Sequence, residues 1–428
     1  MTGHKHLKQR VRERMARTGE TYSTARRHVL AKARTGALPD GLVPGYDVFG
    51  VDQHRPSSLT AHLLRQAGHV APHTGEPYTE AMVCGLGGGI GFLYAIFEYT
   101  NVPPLVTIVA QHHPDPWLPA VLGRLGIGYA EEHSGTAKPA LAALRAALAG
   151  GRPVSCTVDR SSLPWHEGVF ALPTDPYPVV VAGEADGTLF LDDRDPLPHA
   201  LPETDFVTAW SRHRKGRHHR ITVDGPGKPV DLPAAVRAAL DTTVAHLTGP
   251  VLGNNFDANF GFSGMARLAA QLRDDRTKSG WVRRFADPGA FAWALRRMHE
   301  CLEVEYTAPG ATRPLYAAFL DEAAGVLGAE RLALAAQLLR ESARHWSMLA
   351  DRAAETADDM GEVAELADRR MAVVMTKGRA GADEIRALSA QIAASAPPPP
   401  DAGLFVELAD LVDRARSAEE RAAALIAA

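Results

Sequence analysis

Cysteine is scarce in this chain. Its 428 residues hold three, Cys84, Cys156 and Cys301, far apart and odd in number. No Cys-x-x-Cys pair exists, so neither a disulfide framework nor a thiolate metal site is expected, and a reducing cytoplasm is the expected location. Long apolar runs are missing too. No stretch approaches the ~18 consecutive apolar residues of a membrane-crossing helix. The basic start Met1-Thr2-Gly3-His4-Lys5 has no apolar core behind it, which argues against a secretory signal. No repeat of fixed period occurs, so a solenoid is not expected. Hydrophobic residues at 46% and charged residues at 22% exclude global disorder, and the length leaves room for two or three domains.

A large net charge is also absent, but the total of −4 hides an asymmetry. Residues 1–34 carry ten Lys/Arg against Glu13 and Glu20, a local +8 that leaves −12 for the rest. In this head, Leu7, Val11 and Met15 recur every four residues, and Ala25, Val29 and Ala33 do the same after Thr18-Gly19-Glu20. Two short amphipathic helices over 1–36 are the reading. Arg12, Arg14, Arg17, Arg26 and Arg27 make this module a candidate for an acidic partner or for nucleic-acid phosphates. With Tyr22 as its one aromatic, it has little to stack on bases. A solvated hairpin with no partner is the plainer alternative.

Beyond a Gly/Pro-rich linker, residues 44–228 alternate helices and strands. Helix is expected over 58–66 and 137–149, strand over 105–110, 153–158, 179–181, 188–191 and 220–223, with a turn at Ala185-Asp186-Gly187. That pattern reads as α+β with a small antiparallel sheet. From 232 to 428, Ala, Leu, Arg and Glu dominate and the reading is α-helical, with breaks near 350 and at the stiff spacer Pro397 to Pro400.

The run Gly85-Leu86-Gly87-Gly88-Gly89-Ile90-Gly91 is the strongest local signal. It is not a dinucleotide loop, because the third required glycine falls on Ile90. It is not a phosphate loop either, because no Lys-Ser/Thr follows. It is either a loop that lets a ligand approach the backbone or a tightly packed junction in the core. The histidine pairs His112-His113, His218-His219 and His69 with His73 read as loop histidines, and no metal or cofactor is expected. The run 212–220 is basic, either a docking patch for an acidic carrier protein or a solvated loop.

Before the glycines stands His54-Arg55-Pro56-Ser57-Ser58, leading into a helix that ends Leu63-Leu64; Glu80 to Cys84 then run into Gly85-Leu86-Gly87-Gly88-Gly89-Ile90-Gly91-Phe92. Further on come Tyr177-Pro178-Val179-Val180-Val181 and Leu189-Phe190-Leu191-Asp192-Asp193. From about Tyr46 onward the chain resembles the butirosin-biosynthesis acyltransferase family. Its papain-like N-terminal domain uses a Cys and a His, and a helical domain follows it. The resemblance implies acyl or aminoacyl transfer in specialised metabolism, from a carrier-protein thioester to an amine acceptor. The thioester would lie on the backbone of Gly87, Gly88 and Gly89.

The family's nucleophilic Cys falls on Arg55 and its His on Tyr177; the orienting acid survives as Asp192 or Asp193, with Asp192 the candidate. A guanidinium offers no usable lone pair, and a phenol is a poor base near neutrality. Arg55 is therefore read as a substrate-binding residue, and Tyr177 and Asp192 as remnants of the catalytic set. Replacement nucleophiles are Ser57, with His54 as base, and Cys84. The plainer readings are a helix N-cap at Ser57 or Ser58 and a buried core thiol at Cys84. Two functions remain open: a divergent acyltransferase, or a non-catalytic ligand- or partner-binding pseudoenzyme.

Overall fold

The computed structural model describes residues 37–99, 102–114, 116–166, 176–212, 217–395 and 402–428. The basic head with Arg12, Arg14, Arg17, Arg26 and Arg27, and the spacer Pro397 to Pro400, lie outside these residues.

In chain order the elements are α1 (Arg55–Gln66), α2 (Glu80–Leu86), β1 (Ile90–Phe97), β2 (Leu105–Gln111), α3 (Trp117–Leu125), β3 (Tyr129–Glu132), α4 (Ala137–Ala149) and β4 (Val154–Asp159). Then come β5 (Pro176–Ala185), β6 (Thr188–Asp192), β7 (His199–Pro202), α5 (Glu203–Arg212) and β8 (Arg220–Val223). The helices α6 (Leu232–Thr248), α7 (Gly261–Arg273), α8 (Trp281–Arg284), α9 (Pro288–Glu303), α10 (Arg313–Leu327) and α11 (Arg331–Asp359) follow. The last are α12 (Glu362–Lys377), α13 (Ala382–Ala394) and α14 (Ala402–Ala427). The fold is α+β, with small antiparallel sheets and a helical C-terminal region. No helix among the described residues is long and apolar enough to cross a membrane.

The chain divides into two compact units, described residues up to Val83 with Val121–Leu232, and Cys84–Ala120 with Pro233–Ala428. The segment Cys84–Ala120, read from sequence with 44–228, thus clusters with the later helices.

The first unit is built on a six-stranded antiparallel sheet in the order β3-β8-β4-β5-β6-β7. Strand alternation makes its core. Val154, Cys156 and Val158 share a face with Val179, Val181, Leu189 and Leu191, against Ala140, Leu144 and Ala147 of α4 and Phe206, Ala209 and Trp210 of α5. The β5–β6 turn holds Asp186 at φ 48° and Gly187 at φ 73°. Two positive φ values make a primed hairpin turn, for which Asp-Gly is a preferred pair.

In the second unit, β1 and β2 form a separate hairpin, and Phe92 stacks on Trp346 with ring centroids 5.3 Å apart. The long helices α11 and α14 pack together and against their neighbours. The expected break near residue 350 is not present: α11 runs on to Asp359, and Gly361 at φ 51° separates it from α12. Asp351-Arg352 carries no breaker, whereas the left-handed residue does.

Candidate functional site

Helix α1 begins with Pro56 in its first turn, where a missing N–H costs nothing. One carboxylate organises its start. Glu80 Oε1 accepts from Gln53 N (3.0 Å), His54 N (2.7 Å) and Ser58 Oγ (2.6 Å), and Ser58 Oγ accepts from Asp52 N (3.2 Å). Burial raises the Glu80 carboxyl above its usual value, against the lowering effect of these bonds. His54 Nδ1 and Ser57 Oγ are 2.8 Å apart, so the expected base and hydroxyl do meet. Both residues are fully buried. Their bond braces the first turn of α1 from inside.

Arg55 faces the other way. Its guanidinium lies 3.5 Å from the centroid of the Tyr177 ring, donates to Pro178 O and sits 3.5 Å from Asp193 Oδ1. Tyr177 ends its reach on the same carboxylate, its hydroxyl donating to Asp193 Oδ1 at 2.8 Å. Trp165 Nε1 and His166 Nε2 reach Asp193 Oδ2 at 2.9 and 3.1 Å. Arg194 Nε donates to the Tyr177 hydroxyl at 3.3 Å, and the Arg160 guanidinium stands 5.4 Å from the Tyr177 ring. The two positions at which the family resemblance expects Cys and His are therefore adjacent, and they hold a cation stacked on a phenol. Such a contact is worth about 0.5–2 kcal/mol.

Of the two candidate acids, Asp193 is the one bonded to Tyr177. Asp192 serves a different purpose: it accepts from Tyr46 Oη (2.6 Å), Gly50 N (2.8 Å) and His62 Nδ1 (2.7 Å), tying the segment before α1 and α1 itself to the end of β6. Gly50 is required there, with φ 89° and the Asp195 carbonyl oxygen 2.7 Å from where a Cβ would sit. Successive residues at a strand end point in opposite directions, which separates the two roles.

The charges fix the protonation states. Burial alone would raise Asp193, but the bond from His166 and the charges of Arg55 and Arg194 outweigh it and hold the carboxyl well below its usual range. Burial raises the Tyr177 phenol, only partly offset by Arg55. Burial lowers His166 in spite of Asp193. Near neutrality the set is an ionised Asp193, a protonated Tyr177, a neutral His166 and three guanidinium groups. Nothing in it is a nucleophile with its base.

Because the folded pKa of Asp193 is depressed, its stabilisation is complete above the unfolded value of about 4 and disappears as pH falls through the folded value. Asp193→Asn should cost about 3 kcal/mol at pH 7, from breaking a buried charge pair. In urea titrations the gap to the wild type should stay constant above about pH 4 and close below it.

Cys84 and Gly87, Gly88 and Gly89 belong to the second unit, and Cys84 is fully buried. There the glycines make room for rings. A Cβ at Gly85 would meet Phe319, at Gly87 Trp117, at Gly88 His112 (2.6 Å) and at Gly89 Tyr316. The backbone turns through Gly88 at φ 107° and Gly89 at φ 69°, with Gly89 N on Cys84 O and His112 N on Gly89 O. Of the two readings of the loop, the packed junction describes this arrangement.

The sequence points to Arg55 and Tyr177, with Asp192 rather than Asp193 as the acid, and not to Arg160, Trp165, His166 or Arg194, which complete the cluster. A short apolar-aromatic turn after β4 gives no periodic signal, so only Arg194, next to the Asp pair, was within reach.

Comparison with known proteins follows the same lines. Residues 54–194 match the family described as Butirosin biosynthesis protein H, N-terminal, a span that opens at His54 and closes at Arg194. Residues 208–377 match a Domain of unknown function (DUF4872). Among solved structures, the chain is similar to a protein described as a C39-like peptidase from Bacillus anthracis. The identity is 15%, the match covers 44% of this chain and 100% of that one, and the TM-score is 0.28. No curated protein matches the chain.

Proposed function

We propose, from the premise that residues 54–194 are a papain-like domain of the butirosin biosynthesis protein H family, that this protein binds an acyl-transfer ligand without carrying out the covalent step. The observation that carries this reading is the Arg55–Tyr177 stack on Asp193. Acyl transfer through an enzyme-bound intermediate needs a nucleophile and a base that takes its proton. Arg55 supplies neither, and Tyr177 is held protonated. The Arg55 guanidinium stands at this carboxylate with 13% of its side chain exposed. A guanidinium that reaches the surface suits an anionic group, such as the phosphate of a carrier protein's phosphopantetheine arm.

The second reading is a divergent acyl or aminoacyl transferase that takes its acyl group from a carrier thioester and gives it to an amine. The 2.8 Å His54–Ser57 contact favours it; the burial of both groups opposes it. An acyl-phosphopantetheine thioester distinguishes the two. The protein should retain it with no acyl adduct in the intact mass, and Ser57→Ala and Cys84→Ala should retain it equally. Arg55→Ala should weaken retention by about tenfold or more, the equivalent of one charge-assisted hydrogen bond. An adduct abolished by Ser57→Ala or Cys84→Ala would establish the transferase instead.

A further inference from the structure

The edge of the six-stranded sheet carries a group of side chains that the site above does not use. Strand β3 reads Tyr129-Ala130-Glu131-Glu132 and is followed by His133; β8 is preceded by His219. The register pairs Glu131 with Ile221 and Glu132 with Arg220, so one step further out His133 stands across from His219. Residues opposite each other in an antiparallel pair share a face, and residues two apart on one strand share it too. Glu131, His133 and His219 therefore emerge on the same side of the sheet. Glu132 and Arg220 emerge on the other, where they pair at 3.0 Å.

The side chains follow that pattern. His219 Nε2 is 2.9 Å from Glu131 Oε1, the His133 and His219 rings are 4.8 Å apart, and one ligating atom from each of the three lies within 4.8 Å of the others. We propose that Glu131, His133 and His219 form a zinc-class divalent metal site that clasps the edge strand β3 to β8. The donor set is two imidazoles and one carboxylate, which suits Zn2+ and disfavours the all-oxygen chemistry of Mg2+ and Ca2+. Tetrahedral zinc with bonds of about 2.0–2.1 Å separates its ligand atoms by about 3.3 Å. Glu131 and His219 are close to that spacing already. Glu131 and His133 are exposed, so the remaining adjustment is a rotamer change at the surface.

A second interaction orients the buried side of the site. His219 Nδ1 lies 2.8 Å from Thr157 Oγ1 on β4. A hydroxyl both donates and accepts, so Thr157 Oγ1 can accept a hydrogen bond from Nδ1–H, a tautomer that leaves the Nε2 lone pair facing Glu131 and His133. Three protein ligands leave a fourth position for water or an added ligand.

The test uses the full chain stripped with EDTA and titrated with Zn2+, with Co2+ as the optical probe and Mg2+ as the control. One equivalent of Zn2+ should bind and raise the melting temperature, Co2+ should give tetrahedral visible bands, and Mg2+ should do neither. His133→Ala and Glu131→Gln, both at exposed positions, should each weaken Zn2+ by at least about 100-fold. Thr157→Val should weaken it by about tenfold, as expected for a residue behind a ligand. His219→Ala should abolish the Co2+ bands. Should His219→Ala fail to fold, the two exposed variants decide alone. Zn2+ bound as tightly by His133→Ala and Glu131→Gln as by the wild type, or no Zn2+ bound at all, overturns the site.

Discussion

Arg313→Met should lower the stability of the chain by about 3–5 kcal/mol, the cost of leaving a buried charge without its partner. Against the about 5–15 kcal/mol that ordinarily separates folded from unfolded states, that is a large fraction. Arg313 and Glu419 are both fully buried and bonded at both ends, with Nε to Oε1 and Nη2 to Oε2 each 2.8 Å. Glu419 Oε1 also accepts from Ser342 Oγ at 2.6 Å and Trp346 Nε1 at 2.8 Å. Arg313 spends its remaining donors on backbone: Ala110 O and Ala311 O at 2.7 Å and Gly91 O at 3.0 Å. One guanidinium thus joins the hairpin strands β1 and β2 to α14, which is why truncation strands five acceptor atoms at once. Glu419→Gln should cost a similar amount. The double variant Arg313→Met with Glu419→Gln should cost less than the sum, because removing both partners leaves no unpaired charge. Urea midpoints of the four proteins check this; strict additivity would mean that the pair is not coupled.

This pair also shows where the sequence was legible and where it was not. In α14 the buried residues Leu408, Val412, Ala415, Ala422 and Ile426 follow a four-three spacing, and Glu419 falls on the same seam. A carboxylate at an apolar position is a signal of a buried partner, but Ala418-Glu419-Glu420-Arg421 reads like any solvated face. The first helix, the β4–β6 meander, β8 and α4 were legible because each has a clean period and a turn or glycine at its end. Strand β3 was not: four exposed residues carry no apolar alternation, so Glu131 and His133 gave no hint of standing beside His219. The family resemblance was enough to put Arg55 and Tyr177 together. It could not choose between Asp192 and Asp193, because that choice depends on where β6 ends. Nor could it show that aromatic rings from α10 fill the glycine loop, since Tyr316 and Phe319 lie more than two hundred residues away.

The double variant Arg55→Cys with Tyr177→His should acquire a reactive thiol, and this is the largest functional change the site admits. The surroundings of such a pair are already in place. Residue 55 opens α1, where unpaired N–H groups favour an anion. Asp193 is ionised and already accepts from the side chain at 177, the role of the group that holds a catalytic imidazole in position. What the wild type lacks is the thiol and the ring nitrogen. Arg55→Cys alone should alkylate slowly at pH 6–7, like an ordinary thiol with a pKa near ~8.5. Adding Tyr177→His should speed iodoacetamide alkylation of that thiol by about tenfold or more in the same pH range, because an adjacent imidazolium stabilises the thiolate. Cys84, Cys156 and Cys301 are all fully buried, so peptide mapping assigns the label to residue 55 without interference. A double variant no faster than Arg55→Cys would show that adjacency in the stack of Arg55 on Tyr177 does not reproduce the spacing that thiol chemistry requires. A fast one would show that the scaffold places residues 55 and 177 at the spacing a thiol–imidazole dyad needs.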